Sequence, residues 1–478
     1  MSDLHFGAAT SILTAVDPVT LEADINRDSE AMVSLVECLG YLLERNEAES
    51  PPRLVLAGDI LELALTTTNE AATVFARFMR LLAGGGGELF DPSIIYVPGN
   101  HDHHLWETAR ERQYAEYLRD EDPPLPLSSP PWHATHLFPW RRGMKVKNRD
   151  VESHLLTTLL DYSECDDVDR VIAMYPNAGL MSADGRSVCT VMHHGHFTEW
   201  IYLLMTELRM IVFPGMKTPP EEVWDLEAEN YAWIEFLWGT LGRSGEVGES
   251  VERFYDMLKS DRATRRLIAS LASALPGRFG LEGCRKLMAR ICIRLALMKI
   301  WKHFRGLERG LEDWPLSEDS SRRLDEYIGH YLRGQLDRER GEDLPARLNF
   351  VFGHTHKPFE EIRKVKGVDS PVHVYNTGGW VVDHLDVRPR RGASIVVIDE
   401  DGNAASIRMY NQAASGPGYR VSVAKAGGAA AENPLHDELS RIVDSREGPW
   451  ADFSGAAARS VEERRANLEK VIERAAGA

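Results

Sequence analysis

The chain has few cysteines and no long apolar run, and both absences limit what kind of protein it is. Five of its 478 residues are cysteine, an odd and dispersed set (Cys38, Cys165, Cys189, Cys284 and Cys292). This pattern is typical of a reducing compartment rather than of a disulfide framework. No window of about 18 residues is both strongly apolar and free of charge, so no transmembrane helix is predicted. The first residues also lack the basic and apolar regions of a signal peptide, so we expect a cytoplasmic protein.

An excess of basic charge is also missing, which argues against a nucleic-acid partner. The net charge is −18 at pH 7, whereas non-specific nucleic-acid binding depends on Lys and Arg side chains that neutralise phosphates. The charge is uneven, however. Residues 262–309 contain twelve basic and two acidic side chains, a local balance of +10, so the rest of the chain carries −28.

Five short segments place metal-binding side chains beside glycines or other turn-forming residues. They are Asp3-Leu4-His5, Gly58-Asp59-Ile60-Leu61-Glu62, Gly99-Asn100-His101-Asp102, His193-His194-Gly195-His196 and Gly353-His354-Thr355-His356. Each is weak evidence alone, because a Gly-Asp pair is usually a turn and a His-x-His pair is usually on the surface. Carboxylate, amide and imidazole ligands without thiolate suit Mn²⁺, iron, Zn²⁺ or Co²⁺.

Four of these segments follow short apolar runs that predict buried strands. The runs cover residues 53–57, 93–97, 188–192 and 349–352 and are rich in β-branched and aromatic side chains. Helical periodicity over 30–46 and 70–83 separates the early runs. Because ligands collect at the carboxyl ends of strands in α/β sheets, we expect the segments to converge.

The five segments, taken in this order, resemble the calcineurin-like metallophosphoesterase family over residues 1–196 and 346–411. The resemblance implies an α/β fold, a four-layer αββα sandwich of two mixed β-sheets flanked by helices. The length exceeds what one core usually organises. We therefore predict four parts, which are a metallophosphoesterase core in two pieces (1–196 and 346–411), a helical insertion or cap (197–345) and a flexible and helical C-terminal tail (412–478).

The resemblance also implies a pair of divalent metal ions, with manganese as the first expectation and iron, zinc or cobalt as alternatives. Two metals roughly 3.5–4 Å apart can clamp a phosphoryl group. The implied ligands are Asp3, His5 and His356 for the first ion, Asn100, His194 and His354 for the second, and Asp59 as the bridge between them.

Catalytic and supporting roles follow from the same resemblance. His101 is expected to face the phosphate as a general acid, with Asp102 orienting its ring. Glu62 is expected to support the ligands rather than bind metal directly. His196 is expected to contact phosphate or to support the first metal's ligands. Three other histidines have suitable spacing but no assigned role, namely His103, His104 and His193.

The first segment departs from the family, because only Met1 and Ser2 precede Asp3 where the family has a hydrophobic strand. Either the natural start lies upstream or the first strand is mostly absent, and we favour the first alternative. Otherwise Asp3 and His5 would sit on a poorly anchored terminus.

The insertion holds six of the eleven tryptophans and a basic helical pattern over 284–305. Three interpretations remain open for it. It is a packed helical cap, a cap that also contacts an anionic membrane, or a basic funnel that steers a phosphorylated substrate. Its aromatic content favours a substrate with an apolar portion.

The resemblance implies an enzyme that hydrolyses a phosphomonoester or phosphodiester by attack of a metal-bridging hydroxide. A lipid- or nucleotide-linked phosphoester is the expected substrate, and the protein is placed in the cytoplasm or at the inner face of a membrane. The alternatives are a non-catalytic binding module on the same fold and a nuclease of the superfamily. No expected ligand is missing, which argues against the binding module, and the acidic charge argues against the nuclease.

Overall fold

The computed structural model describes most of the chain. The described residues are 1–48, 50–84, 90–121, 125–127, 133–138, 151–163, 165, 169–213, 215, 218–240, 265, 268–270, 272–273, 276, 283–304, 314–341, 344–414, 416–428, 431–445 and 448–477. Much of the basic segment 262–309 therefore lies outside the described residues, apart from 283–304 and a few shorter pieces.

The first half of the chain alternates strands and helices. Its elements are β1 (Thr14–Val16), β2 (Ala23–Asp28), α1 (Glu30–Leu43), β3 (Val55–Leu56), α2 (Thr68–Ala83), β4 (Ser93–Tyr96), α3 (His104–Glu121), β5 (Val151–Glu152), α4 (His154–Tyr162), β6 (Arg170–Ala173), β7 (Asn177–Met181) and β8 (Val188–His193). Ser29 caps α1, and Thr67 and Glu70 form a capping box at α2. These caps satisfy backbone donors that the first helical turn leaves without partners. The helices predicted over 30–46 and 70–83 are confirmed.

The insertion between the fourth and fifth segments is helical over most of its described residues. It contains 3₁₀ turns at His196–Thr198 and Trp200–Leu203, helices α5 (Leu204–Val212), α6 (Val223–Ile234), α7 (Gly283–Phe304), α8 (Glu318–Glu326) and α9 (Arg333–Arg340), and π-helical segments at Glu235–Thr240 and Tyr327–Leu332. Among the described residues, no helix is long and apolar enough to cross a membrane.

The C-terminal part returns to strands and ends in two helices. Its elements are β9 (Arg347–Phe352), β10 (Phe359–Arg363), β11 (Val372–Asn376), β12 (Gly392–Ile398), β13 (Ala404–Asn411), β14 (Ser422–Ala424), α10 (Pro434–Asp444) and α11 (Trp450–Gly477). Trp450, Phe453 and Val461 of α11 are buried in the same hydrophobic cluster as α1. This part of the C-terminal segment, expected to be flexible and helical, is thus packed into the core.

The strands form two larger mixed sheets. The first has the order β3-β4-β6-β5, parallel except at β5. The second has the order β10-β11-β9-β8-β7, with three parallel central strands and an antiparallel strand at each edge. Strands β12, β13 and β14 make a smaller antiparallel sheet, and β1 pairs with β2. The predicted α/β class with mixed sheets is confirmed.

Neighbouring residues of one strand belong to different hydrophobic clusters. On β4, Ile94 shares a cluster with Phe75 of α2. Its neighbour Ile95 shares another cluster with Val351 of β9, in the second sheet. On β9, Phe350 joins a third cluster with the helices of the insertion. Since strand side chains alternate between faces, consecutive residues of β4 and of β9 contribute to different clusters.

Candidate metal centre

Four of the five segments leave their strands at the carboxyl ends. Asp59 follows β3 and Asn100 follows β4 in the first sheet, whereas His194 follows β8 and His354 follows β9 in the second. Parallel strands carry their ends to one edge, so each sheet contributes two side chains to a common site. All four are buried, at 1% exposure or less.

The fifth segment, at the N-terminus, is held by backbone hydrogen bonds to the end of β3. The Ala57 N–H donates to the Met1 carbonyl at 2.7 Å, and the Asp3 N–H donates to the Gly58 carbonyl at 2.9 Å. The His5 N–H continues the pattern to the Asp59 carbonyl at 2.9 Å. Asp3 and His5 are therefore firmly anchored, although only Met1 and Ser2 precede Asp3. The N–H groups of Asp3 and His5 and the carbonyl of Met1 all find hydrogen-bond partners in the segment at the end of β3, and this holds the N-terminus in place.

The expected ligands come together in two buried groups. Nitrogen and carboxylate ligand atoms of the first group, Asp3, His5 and His356, all lie within 4.8 Å of one another. The same holds for Asp59, His194 and His354. Either group can hold a metal ion, because three donors of this kind at this spacing surround a cation. A third such group, formed by His5, Asp59 and His101, overlaps both.

Asp59, a member of the second group, also lies close to the first. Its Oδ2 atom is 3.7 Å from His5 Nε2 and 3.3 Å from His194 Nε2. The other oxygen, Oδ1, accepts the His101 backbone N–H at 2.8 Å. Oδ2 has no hydrogen-bond partner although it is buried. A buried carboxylate oxygen without a partner is costly, and a cation bound beside Oδ2 would remove that cost.

Atoms with lone pairs converge on the Nε2 atom of His194. Asn100 Oδ1 lies 3.0 Å from it and His354 Nδ1 lies 3.3 Å from it, on the side where Asp59 Oδ2 also lies. The other ring nitrogen of His194 is 3.2 Å from the Ala57 carbonyl oxygen, so Nδ1 carries a proton that it donates to that oxygen. Four electron-rich atoms that face one point are the arrangement of a metal-ligand shell.

Backbone strain is concentrated in the proposed ligands. In the part of the chain that the structure describes, six non-glycine residues have positive φ, and five of them belong to the proposed ligand set: Asp3 (51°), His5 (45°), Asp59 (51°), His354 (68°) and His356 (57°). This region disfavours residues with a Cβ atom, and such strain persists mainly where function requires it.

The glycines of the segments allow the ligand loops to approach one another. A Cβ atom on Gly99 would lie 2.2 Å from Asp59 Oδ1, and one on Gly353 would lie 2.0 Å from Asp3 Oδ2. Both distances are far below van der Waals contact, so only glycine fits at these two positions.

Burial and mutual charge determine the ionisation of the ligands. Burial opposes ionisation of Asp59, but His194 and His101 outweigh it and hold the pKa of Asp59 well below its usual value. Burial also opposes protonation of His194, but Asp59 outweighs it and raises the pKa of His194 to about 9. The carboxylate is thus in the ionised form that binds metal.

Glu62, not Asp102, orients His101. The Glu62 carboxylate contacts Nδ1 of His101 with Oε1 and Nδ1 of His5 with Oε2, each at 2.7 Å. Burial opposes ionisation of Glu62, but His101 outweighs it and lowers the pKa of Glu62. An ionised carboxylate only accepts hydrogen bonds, so both Nδ1 atoms carry the proton and both Nε2 atoms face the centre.

Asp102 instead holds the loops of two segments together. Its carboxylate accepts the backbone N–H groups of Gly99 at 2.7 Å and Ile60 at 2.8 Å. Burial and the charge of Asp59 raise the pKa of Asp102 to about 6. The expectation that Asp102 orients the His101 ring is therefore wrong, because its oxygens are directed toward backbone amides.

His196 lies on the far side of the second group. Its Nε2 atom is 3.3 Å from the Tyr175 hydroxyl and 3.9 Å from Glu227 of α6. The ring centroid is 5.8 Å from that of His194. The contacts of His196 join it to Tyr175, Glu227 and His194, and its expected role in phosphate contact or in support of the first metal's ligands stays a prediction. Burial lowers the pKa of His196 well below its usual value.

The insertion covers one side of the centre. The Trp238 ring lies over the His101 ring, with centroids 4.1 Å apart and a tilt of 32°. One turn earlier, the Glu235 carboxylate lies 3.2 Å from His103 Nδ1 and 3.0 Å from His104 Nδ1. Two of the three histidines without an assigned role therefore attach the insertion to the loop that carries Asn100.

Sequence reasoning did not identify Glu199. Its carboxylate lies 3.1 Å from His354 Nε2, which leaves Nδ1 of that ring to face the centre. A carboxylate on the outer nitrogen of a histidine ligand fixes the ring orientation. The only signal was a carboxylate three residues after His196, a spacing too common to single out. The His193 ring lies between His196 and Tyr327, outside the ligand groups.

Comparison with known proteins adds no family assignment. A scan against protein-family models finds no match to the chain, and a search of curated proteins finds no match either.

Proposed function

We propose that the chain is a metal-dependent phosphoesterase of the calcineurin-like type with a dinuclear centre. The observation that supports this most is the pair of buried ligand groups on either side of Asp59 Oδ2. Asp3, His5 and His356 would hold the first ion, Asn100, His194 and His354 the second, with Asp59 shared. The two mixed sheets, each with helices against one face, support the finer proposal of a four-layer αββα sandwich.

The donor set fits ions of intermediate hardness, with manganese first and iron, zinc or cobalt as alternatives. Among the proposed ligands are two carboxylates, one amide and four imidazoles, and none is a thiolate. When bound, such a pair of ions neutralises phosphoryl oxygens and supplies a nucleophilic hydroxide near neutral pH.

His101 is the proposed proton donor to the departing oxygen. Its Nε2 atom is buried and has no hydrogen-bond partner, while its Nδ1 atom is fixed by Glu62. With Nδ1 held by Glu62, Nε2 is the ring atom that would donate a proton to the departing oxygen. Trp238 covers one face of the ring and limits its movement.

The proposed substrate is a phosphomonoester or phosphodiester with a lipid- or nucleotide-linked portion. Two features of the cap support an apolar or aromatic substrate group. Trp238 lies directly over His101, and Phe236, which stacks on Trp233, is 48% exposed nearby in sequence. Aromatic side chains of this kind contact flat or apolar groups.

Turnover with a generic substrate tests the proposal. Purified full-length protein supplied with Mn²⁺ is expected to hydrolyse p-nitrophenyl phosphate or bis(p-nitrophenyl) phosphate, and a chelator is expected to stop it. Asp59→Asn is expected to lose bound metal, measured by elemental analysis, together with turnover. His101→Ala is expected to keep the metal and lose turnover by about 10²–10⁴-fold.

Two results would contradict the proposal. Wild-type protein that binds metal but has no turnover with Mn²⁺, Fe²⁺, Zn²⁺ or Co²⁺ would favour the non-catalytic binding module. Loss of metal in His101→Ala would move His101 into the ligand set.

A further inference from the structure

Helix α7 exposes a row of large apolar side chains. Leu287, Met288, Ile291 and Leu295 are 60%, 68%, 51% and 65% exposed. At 3.6 residues per turn they fall within an arc of about 100° on one side of the helix. Four neighbouring apolar side chains at this exposure form a patch, and such patches mark interaction sites.

Basic side chains border this patch on both sides. Lys286, Arg290 and Arg294 lie along one border and Arg285 lies along the other, and all four are exposed. The sequence of α7 contains no acidic residue. In the part of the chain that the structure describes, none of the four forms an ion pair. Among the described residues, there is therefore no support for a packed cap in which neighbouring carboxylates neutralise these side chains.

We propose that this face of α7 docks on an anionic lipid surface. Apolar side chains enter the boundary between headgroups and acyl chains, while Lys and Arg bind the anionic headgroups. The chain outside residues 262–309 carries a net charge of −28, so electrostatic repulsion directs other faces away from such a surface. The basic segment therefore attracts the protein to the anionic surface and also turns this face of α7 toward it.

A second copy of the chain is a poorer occupant of the same face. In a symmetric dimer the same patch meets itself, which would bring the basic borders of the two copies together. Like charges across an interface are costly. An anionic membrane instead supplies charge of the opposite sign along the whole length of α7.

Vesicle flotation with the full-length protein tests the proposal. Wild-type protein is expected to float with vesicles of phosphatidylcholine and phosphatidylglycerol, but not with phosphatidylcholine alone, and to be released by high salt. Each unit of charge near an anionic surface changes binding by about fivefold. The double reversal Arg290→Glu and Arg294→Glu is therefore expected to weaken binding by more than about a hundredfold. Ile291→Glu with Leu295→Glu is expected to abolish flotation.

A matched control reverses two exposed arginines elsewhere, Arg420→Glu with Arg459→Glu. This variant changes the net charge equally and is expected to float like wild type. Flotation that is absent in the wild type, independent of phosphatidylglycerol, or equally sensitive to the control reversal would overturn the proposal. A wild-type dimer that Ile291→Glu with Leu295→Glu converts to monomer, without vesicle binding, would assign the face to a second copy. The assay measures no turnover, so its outcome is separate from that of the phosphoesterase proposal.

Discussion

At the residue scale, the most consequential feature is one carboxylate that holds two histidines of different roles. Glu62 fixes His5, a proposed ligand, and His101, the proposed proton donor, at the same distance of 2.7 Å. Its two oxygens are directed apart, so a single side chain sets the spacing between the first ligand group and the proton donor. Asp102 acts on the backbone instead.

This division of roles predicts different effects for two similar substitutions. Glu62→Gln leaves one acceptor oxygen for two N–H donors, so turnover is expected to fall by about 10²–10⁴-fold. Metal affinity is expected to fall by about 10–100-fold, because His5 loses its orientation. Asp102→Asn is expected to lower the free energy of unfolding by about 1–3 kcal/mol, because backbone amides lose an acceptor.

The measurements are steady-state kinetics, metal content and chemical denaturation of both variants. Asp102→Asn that loses turnover with its stability unchanged, while Glu62→Gln remains active, would restore the orienting role to Asp102.

At the scale of elements, the π-helical segment Glu235–Thr240 connects the helical insertion to the candidate metal centre. It presents Glu235 to His103 and His104, and one turn later it places Trp238 over His101. A π-helical turn shifts side-chain directions relative to an α-helix and is frequent at functional sites. The position of the insertion and that of His101, the proposed proton donor, are therefore coupled through these six residues.

Removal of the Trp238 ring is expected to reduce turnover more than substrate affinity. Stacked aromatic pairs contribute about 0.5–1.5 kcal/mol, which corresponds to about two- to tenfold in rate. Trp238→Ala is therefore expected to lower kcat by that factor, whereas Trp238→Phe keeps most of it. An increase in KM alone, with kcat unchanged in both variants, would make Trp238 a substrate contact only.

The Glu235 contact predicts a defined pH dependence of stability. Burial raises the pKa of Glu235, but its contacts with His103 and His104 outweigh burial and lower it from 4.5 to about 2. The contact therefore contributes its full share of the folding stability above about pH 4.5. This stability is lost as the pH falls toward about 2. Thermal melts are expected to show Glu235→Gln less stable than wild type at neutral pH. The difference should disappear in acid, and one that grows there would refute this account.

At the scale of the whole molecule, the candidate site depends on the N-terminal residues, on the C-terminal helix and on the strands between them. Residues 1–6 hydrogen-bond to the segment after β3, and the Trp380 N–H donates to the Asp3 carbonyl at 3.1 Å. Helix α11 packs Phe453 and Val461 into the cluster that contains α1 and Phe6. The C-terminal helix thus supports the layer on which the first segment rests.

Integration of α11 into the core has a measurable consequence. Phe453 is fully buried, so Phe453→Ala is expected to lower the free energy of unfolding by about 3–5 kcal/mol. Val471, on the same helix but 37% exposed, is the control, since Val471→Ala is expected to change it by less than about 0.5 kcal/mol. Chemical denaturation measures both. A Phe453→Ala variant as stable as the control would mean that the C-terminal segment is a loose tail.

The amino-acid sequence by itself determined the elements and the kind of site. Apolar runs that end in Gly-Asp, Gly-Asn, His-His-Gly and Gly-His predict β3, β4, β8 and β9 with polar side chains at their carboxyl ends. These signals are local, because the pattern of neighbouring residues predicts both a buried strand and the turn that follows it. From these signals we predicted which residue types would be ligands. We also predicted that they would meet at one edge of the sheets.

Only the tertiary structure decided which carboxylate contacts and orients which histidine. Sequence proximity suggested Asp102 for His101, but Glu62 takes that place and Glu199 faces His354, across 39 and 155 positions of the chain. Sequence likewise could not show that Met1–Asp3 is held by β3, that α11 is part of the core or that Trp238 covers His101. Each depends on which loops and helices meet in space, because contacts between distant segments are set by packing and not by local propensity.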